Sequence, residues 1–383
     1  MIDVEQLALQ RSRYPELSDT DFRFMLQQVD GRQRTDRKLP TFATLDDWWY
    51  PVRLSCEQCS SEATARYKAA IVATHPALHT HSPQEIHTAD LTGGYGVDSY
   101  FMAQTFGQVD YVERNAELCR IAEHNFSLHA PNIHIHNTTA ETYLQDMPPV
   151  DILCLDPARR DKNGGKVFRL EDCEPNIIAL FPTLRTKAKV LLFKLSPMLD
   201  ITAALRALPD TAWDTHIVAV DNEVKEVLLV SAETAQSRLI AIGLPSHWQA
   251  GDLHRTLTVS RQDEQQAIAT MAQGIGKYIY EPNAAILKAG LYNYVSAHFR
   301  IDKFAPNTHL YTSDSLLPAF PGRIWEVCHP DTPPRQGNIV TRNYPLTPDQ
   351  LKRKLHLRDG GDLYIIAARL ANKPVTITAK RIQ

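Results

Sequence analysis

The stretch Asp90-Leu91-Thr92-Gly93-Gly94-Tyr95-Gly96-Val97-Asp98 decides the fold class of this chain. A short apolar-leaning run, 85–89, precedes it, and a segment with helical character follows. Glycines between a strand and a helix let a ligand approach the backbone, because no Cβ stands in the way. The next apolar run, 109–112, ends in Glu113, and an acid at such a position can accept hydrogen bonds from both hydroxyls of a ribose. We therefore expect a nucleoside-bearing cofactor at the carboxyl edge of a parallel sheet.

The glycine spacing argues against a dinucleotide. A dinucleotide fingerprint has the form G-x-G-x-x-G, whereas Ser99 occupies the place of its third glycine here. The pattern D-L-T-G-G-Y-G-V-D instead resembles motif I of the class I S-adenosylmethionine (SAM) methyltransferases, D-x-x-x-G-x-G. The alternative interpretation is a tight turn in some other α/β domain.

This resemblance implies that the cofactor is SAM. Asp90 would end the first strand and face the methionine amine, while Glu113 would bind the ribose. Glu141, after the third strand, is a further candidate, because an acid near the adenine can accept a hydrogen bond from its amino group. The glycine loop would let the backbone approach the ligand. The predicted cofactor-binding residues are Asp90, Thr92, Gly93, Gly94, Gly96, Glu113 and Glu141.

Length and composition narrow the possible classes of protein. The chain has 383 residues, enough for two or three domains, and 43% of them are hydrophobic. Its net charge of −3 gives no global electrostatic case for nucleic-acid binding, so any such surface must be a local patch. The 6 cysteines are scattered, as in cytosolic proteins, and the single C-x-x-C at 56–59 has no partner pair at zinc spacing. We expect a cytoplasmic protein with no metal site, no secretion signal and no membrane partner.

Strand and helix patterns alternate between residues 85 and 232. Strand candidates are 86–91, 109–113, 132–136, 151–155, 188–194, 215–220 and 226–231, and helix candidates are 97–106, 115–129, 174–186 and 198–207. This alternation predicts an α/β, Rossmann-like fold with a mainly parallel sheet and helices on both faces. Asp90, Glu113, Asp156 and Lys194 fall at predicted strand ends, where ligands of such sheets bind.

The flanking segments have other patterns. Residues 1–80 are expected to be helical, with a cap at Ser18 and a helix after Ser60-Ser61-Glu62 whose polar face carries Arg66, Tyr67 and Lys68. This segment is expected either to lie over the site or simply to support the cofactor domain. Beyond 235, strands are predicted at 238–243, 254–260, 324–328, 338–342, 362–368 and 374–380, helices at 264–278, 282–298 and 347–354, and a loop-rich stretch at 302–320.

The predicted acceptor site follows the fourth strand, at Asp156-Pro157-Ala158-Arg159-Arg160. Methyltransferases that act on nucleobase nitrogens often have D/N-P-P-aromatic there, and the stacking aromatic is missing here. Asp156 could orient or deprotonate the acceptor, or merely contact cofactor or backbone. Arg159 could stack on a base or bind a phosphate. The predicted catalytic residues are Asp156, Pro157 and Arg159.

Two further features bear on the acceptor. The basic loop 160–169 could clamp a phosphate backbone or be an ordinary surface loop. Cys154 precedes Asp156 inside the predicted strand, so covalent attack on a pyrimidine is not expected, and an amine, hydroxyl or ring nitrogen acceptor fits better.

Two resemblances extend beyond motif I. The loop together with Tyr111-Val112-Glu113-Arg114-Asn115 is similar to ribosomal RNA guanine-N2 methyltransferases. Most of the chain resembles bacterial SAM-dependent methyltransferases with a THUMP-like domain, through Ser60-Ser61-Glu62, Lys225-Glu226, Arg342-Asn343-Tyr344-Pro345-Leu346 and Leu357-Arg358-Asp359-Gly360-Gly361-Asp362-Leu363-Tyr364. The family implies four parts: a helical segment (1–80), a SAM-binding domain (81–235), a linker with a ferredoxin-like module (236–320) and a THUMP-like module (321–383).

The resemblance makes RNA, of the tRNA or rRNA kind, the expected partner, and not DNA. THUMP domains bind RNA, and the tail supplies Lys352, Arg353, Lys354, His356 and Arg358 for phosphate contacts. A structural or dimerising role for the tail stays open, as does the oligomeric state. The expected function is SAM-dependent methylation of RNA at a nitrogen. The alternatives are methylation of a protein or small molecule, and a binding protein without turnover.

Overall fold

The computed structural model describes residues 4–159, 170–208, 212–232, 236–252, 255–330 and 334–383, with the side chain of Arg159 left out. The predicted basic loop 160–169 therefore lies outside the described residues. The chain divides into two compact units. The first comprises Met1–Asp221, Lys225–Ser237 and Leu244–Leu253, and the second comprises Asn222–Val224, Arg238–Gly243 and His254–Gln383.

The first unit begins with short helices, as expected. They are α1 (Val4–Ala8), α2 (Asp19–Thr35), α3 (Pro40–Thr44), α4 (Arg53–Gln58) and α5 (Glu62–Ala73). Side-chain oxygens cap two of them: Ser18 accepts a hydrogen bond from the backbone N–H of Asp21, and Ser61 accepts one from Thr64. Both caps satisfy backbone donors that the first helical turn leaves without partners, which confirms the predicted start of α2.

Strands and helices then alternate along the first unit. The elements are β1 (His87–Asp90), α6 (Val97–Ala103), β2 (Gln108–Val112), α7 (Ala116–His129), β3 (Ile133–His136), α8 (Ala140–Asp146), β4 (Val150–Leu155), β5 (Ala158–Arg159), β6 (Cys173–Glu174), α9 (Ile177–Lys187), β7 (Ala188–Leu195), α10 (Ile201–Ala207), β8 (Asp214–Val220) and β9 (Glu223–Ser231). Helix α8 was not expected. It is short, and its N-cap Thr139 is the main local signal for it.

The large sheet of this unit has the strand order β8-β9-β7-β4-β1-β2-β3. Strands β3, β2, β1, β4 and β7 pair in parallel, and β9 pairs antiparallel with β7. The chain leaves β1 toward β2 and β3, and returns to the other side of β1 with β4. The gap between the ends of β1 and β4 is thus a topological switch point, where ligands of open α/β sheets bind.

Apolar packing on the sheet holds these elements in place. One core cluster joins residues of β4 and β7, such as Leu153 and Leu191, to Leu144 of α8 and to Phe181 and Leu184 of α9. These side chains are almost completely buried. Because burial of each such side chain contributes about 1.5–3 kcal/mol, this packing fixes the strand ends that form the switch point.

The second unit contains a second sheet. Its elements are β10 (Arg238–Leu244), β11 (Arg255–Ser260), α11 (Arg261–Gln266), β12 (Tyr278–Pro282), α12 (Ala284–Ala289), α13 (Tyr292–Phe299), β13 (Asp302–Ala305), β14 (Thr308–Ser313), β15 (Gly322–Val327), β16 (Asn338–Arg342), α14 (Pro348–Leu355), β17 (Leu363–Leu370) and β18 (Lys373–Arg381). Strands β10 and β11 form an antiparallel pair. The others form one sheet in the order β13-β14-β12-β15-β18-β17-β16. The pairs along it are antiparallel except β16 with β17, which α14 connects.

Three expectations for this unit were wrong. The helix predicted over 264–278 ends at Gln266. Two glycines, Gly274 and Gly276, disfavour helix in the rest of the predicted segment. At Gly276 the backbone also approaches the Ser313 carbonyl too closely for any Cβ. The helix predicted over 282–298 is interrupted at Gly290, which ends α12 with a φ of 77°. The stretch 302–320, expected to be loop-rich, contains the hairpin of β13 and β14. No helix in the part of the chain that the structure describes is long and apolar enough to cross a membrane.

Candidate active site

A cavity of about 510 Å³ opens at the switch point of the first unit. The glycine loop 91–98 forms one wall, and residues 112–115 and 138–141 form the next. Asp156 and Lys194, from the ends of β4 and β7, lie on the far side. The helix α4 and the residues after it complete the lining with Leu54, Ser55 and residues 58–60. The strand ends predicted to form a site therefore do meet around one cavity.

Each of the three glycines of the loop is required for a different physical reason. A Cβ at Gly93 would lie 2.2 Å from the Tyr111 ring, so this position must lack a side chain. Gly96 has a φ of 84°, and a Cβ there would lie 2.5 Å from Phe126 Cζ. Gly94 also has a positive φ, but a Cβ there would meet only the Thr92 carbonyl oxygen, at 3.8 Å. The first and last glycines let the loop pack against the core, and the middle one leaves room at the cavity.

Asp90 ends β1 as predicted, but its carboxylate lies beneath the loop. One oxygen accepts a hydrogen bond from Ser99 Oγ (2.7 Å) and the other accepts one from the backbone N–H of Thr92 (3.1 Å). Asp90 is buried and is not among the described residues that line the cavity. Burial raises its pKa to about 6, although these hydrogen bonds oppose the shift. The side chain is thus placed to hold the loop in shape.

Glu113 and Glu141 both line the cavity. Glu113 follows β2, and its two oxygens accept hydrogen bonds from the backbone N–H groups of Gly94 (3.0 Å) and Asn115 (2.7 Å). These bonds fix the carboxylate against the glycine loop. Each oxygen keeps a further lone pair that faces no described donor. Glu141 lies in the first turn of α8.

Asp156 is held in the wall of the cavity by two contacts. Its backbone N–H donates a hydrogen bond to Thr92 Oγ1 (2.6 Å), and its carboxylate pairs with Lys194 Nζ. Burial opposes the charge of Lys194, but Asp156, with Asp98 and Glu226, raises the pKa of the ammonium above its usual value. Pro157 follows without lining the cavity, and the backbone of Arg159 lies in β5, paired with Cys173. Burial raises the pKa of the nearby Cys154 thiol well above its usual value.

One group of charged residues was missed by the sequence analysis. Lys68 is 2% exposed and donates hydrogen bonds to both oxygens of Glu226 (3.0 and 2.9 Å) and to Ser60 Oγ (2.9 Å). Ser60 Oγ in turn donates to Asp98 (2.8 Å). The prediction that Tyr67 and Lys68 lie on a polar face of α5 was wrong, since both are buried. Two features of the sequence could have indicated this buried pair: Lys68 lies among the alanines of α5, and Glu226 lies in an otherwise apolar strand.

The N-terminal segment contributes to the cavity wall as well as to support. Trp48 Nε1 donates a hydrogen bond to the Tyr95 hydroxyl of the glycine loop (2.8 Å), and Trp48 packs among Phe42 and Tyr100. This contact fixes the segment to the loop. Leu54, 60% exposed, stands at the cavity mouth. Residues before α5 thus line the cavity, while the expectation that this segment lies over a functional site stays a prediction.

Comparisons with known proteins bear on the fold and on the class of protein. Residues 278–321 match a ferredoxin-like domain family, and residues 331–381 match a family described as THUMP domain-like. A crystal structure of a protein from Porphyromonas gingivalis W83, provisionally described as a methyltransferase, is 28% identical, with a TM-score of 0.83 over 96% of this chain and 92% of that one. Two Mycobacterium tuberculosis proteins, from strains CDC 1551 and H37Rv, are described as uncharacterised SAM-dependent methyltransferases. Each is 27% identical over an alignment of 232 residues, and the alignment covers 57% of this chain and 60% of the relative.

The similarity thus spans less than two thirds of the length of the mycobacterial proteins. The fold is that of the class I methyltransferases, followed by ferredoxin-like and THUMP-like domains, and the cofactor of this class is SAM.

Proposed function

From the similarity to SAM-dependent methyltransferases, we propose that this chain transfers a methyl group from SAM to a nitrogen atom of RNA. One observation carries the proposal: Glu113 and Asp156 line the same cavity at the switch point, with the glycine loop between them. A ribose-binding acid and an acceptor-binding acid at the two ends of one cavity are what in-line transfer needs, since the reaction depends mainly on positioning.

The cavity wall suits SAM. The free lone pairs of Glu113 would accept hydrogen bonds from the two ribose hydroxyls. Glu141 would accept one from the adenine amino group. Thr92 and the glycines would contact the methionine part through the backbone. We propose that Asp90 acts by holding this loop, because its carboxylate already accepts two hydrogen bonds beneath it.

The acceptor would meet Asp156. Lys194 orients this carboxylate, which would accept a hydrogen bond from the N–H of an exocyclic amine. The Pro157 carbonyl would be a second acceptor, and Arg159 would stack on the base or bind a phosphate. Because the Cys154 thiol is buried, we propose direct attack of the nitrogen on the methyl group, without a covalent intermediate on the protein.

The C-terminal part supports the proposed substrate class. THUMP domains bind RNA, and the match over 331–381 is THUMP domain-like. Helix α14 carries Lys352, Arg353 and Lys354 in its last turn, and these residues would contact phosphates. We propose tRNA or rRNA as the partner, a cytoplasmic location, and a division of labour among segments 1–80, 81–235, 236–320 and 321–383.

The test uses labelled SAM and total RNA from a strain that lacks the gene. We expect the purified full-length protein to transfer label to this RNA and much less to RNA from the parent strain, whose sites are already methylated. Asp156→Ala should bind SAM normally and transfer no label. Equal labelling of both RNAs, or labelling of protein instead, would contradict the RNA assignment.

The role of α14 is tested by removing its three cations. A variant with alanine at 352, 353 and 354 should bind RNA more weakly, and the slope of log affinity against log salt should become shallower by about 2. The matched control removes three exposed arginines of the N-terminal segment, Arg13, Arg23 and Arg37. An equal loss in both variants would mean that α14 has no specific part in RNA binding.

A further inference from the structure

Five charged side chains lie beside or behind the acceptor end of the cavity. Lys68 binds Glu226 through two hydrogen bonds, and Lys194 pairs with Asp156. Lys68 also forms an ion pair with a third carboxylate, that of Asp98, at 3.1 Å. Two ammonium groups therefore face three carboxylates.

Asp98 is nevertheless fixed in position. It lies in the first turn of α6 and lines the cavity with its side chain 22% exposed. One oxygen accepts a hydrogen bond from Ser60 Oγ. The other oxygen is buried and accepts no hydrogen bond from a described residue, although Lys68 Nζ lies 3.1 Å away. The cluster of three carboxylates and two ammonium groups thus keeps one excess negative charge beside the cavity.

The surrounding groups keep this carboxylate ionised. Burial alone would raise the pKa of Asp98, but the charges of Lys68 and Lys194 and the hydrogen bond from Ser60 outweigh burial and lower it. A buried ionic network of this kind brings little net stability, because desolvation offsets the attraction. A role in ligand binding explains the placement better than a role in stability.

The whole cavity is also acidic. Among the described lining residues, the acids are Asp98, Glu113, Glu141, Asp156 and Glu174, and the bases are Arg114 and Lys194. Arg114 pairs with Glu174 (2.9 Å). Such a lining attracts a cation, and the sulfonium of SAM is a cation.

We propose that Asp98 makes the cavity select the charge of its nucleoside, favouring the cationic sulfonium of SAM over the neutral thioether of S-adenosylhomocysteine. This inference rests on the proposed SAM site. During transfer the acceptor nitrogen gives its electron pair to the methyl carbon, and the carbon–sulfur bond breaks with its electrons remaining on sulfur. The positive charge thus moves to the nitrogen, which then loses a proton to water. The product nucleoside no longer attracts Asp98, and its release is favoured.

The test compares three ligands that share the adenosine and amino-acid parts. SAM has a sulfonium, S-adenosylhomocysteine has a neutral thioether, and sinefungin has a carbon bearing an ammonium in place of the methylsulfonium. Titration calorimetry with the full-length protein should give affinities for SAM and sinefungin about ten-fold higher than for S-adenosylhomocysteine, a ratio expected for one unit charge at close range. In Asp98→Asn the three affinities should converge. Glu117→Gln, an exposed acid outside the cavity, should keep the wild-type ratio.

The outcomes separate the two proposals. If none of the three ligands binds, the proposed SAM site is wrong. If all three bind wild-type protein equally, or if Asp98→Asn keeps the ten-fold ratio, the role of Asp98 is wrong and the SAM site stands. Should Asp98→Asn fail to fold, the ratio in wild-type protein still decides, because equal affinities there contradict charge selection.

Discussion

Thr92 accepts a hydrogen bond through Oγ1 from the backbone N–H of Asp156, over 2.6 Å. The hydroxyl belongs to the loop after β1, and the N–H belongs to the turn after β4, so one bond ties the two sides of the switch point together. The glycine loop and Asp156 are therefore positioned relative to each other by this bond.

Thr92→Val should reduce methyl transfer about ten-fold, because a small displacement of reacting groups is enough for such a loss. SAM affinity should change less than three-fold, since the loop keeps its glycines and its contact with Glu113. Steady-state kinetics and calorimetry measure the two effects separately. Thr92→Ser keeps the hydroxyl and should behave like wild type. A large loss of SAM affinity in Thr92→Val would assign Thr92 to cofactor binding alone.

Glu113→Ala should weaken SAM binding about ten-fold or more, as expected for lost hydrogen bonds to a charged group. The variant also removes the acceptor for the backbone N–H of Gly94, so the loop should loosen. Calorimetry with SAM measures the effect. Glu117→Ala, four residues on and exposed, is the control and should bind normally. Unchanged affinity in Glu113→Ala would exclude this acid from the cofactor site.

Gly96→Ala should destabilise the protein more than Gly251→Ala, although both positions have positive φ. Strain in the left-handed region should cost about 1–2 kcal/mol at either position. At Gly96 the new methyl group would also meet Phe126, which adds about 1–3 kcal/mol of overpacking, whereas nothing lies within 4 Å at Gly251. Denaturant unfolding measures both variants. Equal losses would mean that Phe126 moves aside freely.

Asp110→Asn should lower stability near neutral pH and change little in strong acid. Burial alone would raise the pKa of Asp110, but hydrogen bonds from His87, Tyr143 and Gln108 lower it to about 2 from 3.8. Stability from this ionised carboxylate is thus full above the unfolded pKa and is lost as the pH falls from 3.8 through about 2. We expect a loss of about 1–2 kcal/mol at pH 7, allowing for solvent screening.

Unfolding curves of wild type and Asp110→Asn between pH 2 and pH 7 test this expectation. The difference between the two proteins isolates Asp110 from other buried acids. His136 also faces the carboxylate at 3.6 Å. Asp146→Asn, at an exposed position of α8, should leave the curve unchanged. If the free energy of unfolding differs between the two proteins by the same amount down to pH 2, the pH dependence does not come from Asp110.

The sequence predicted the first unit well because its signals are local. Apolar runs that end in Asp90, Glu113 and Asp156 identify parallel strands, and strands of this kind bring their carboxyl ends to one edge. The sequence could not show that Asp90 turns beneath the loop, since that depends on a contact with Ser99. The Lys68–Glu226 pair joins residues 158 positions apart, and no short-range pattern reveals such a partner.

In the second unit, apolar periodicity predicted the elements less well, because the helices are short and turns interrupt them. Gly290 ends α12 within a segment that otherwise has the apolar spacing of one long helix. Strands β13 and β14 are 4 and 6 residues long, too short for alternation to stand out. Their pairing is stabilised by burial of Phe304 and Leu310 in a core that includes Trp325 and Ile377 from distant parts of the chain.

Strand β15 pairs with β12 on one side and with β18 on the other, so the segments matched to the ferredoxin-like and THUMP-like families are hydrogen-bonded into a single continuous sheet. A stop codon placed between them would expose the long edge of β15 and invite aggregation. Truncation would then abolish function by misfolding whether or not the tail touches RNA. Genetic tests of this tail should therefore use single substitutions at its surface instead of truncations.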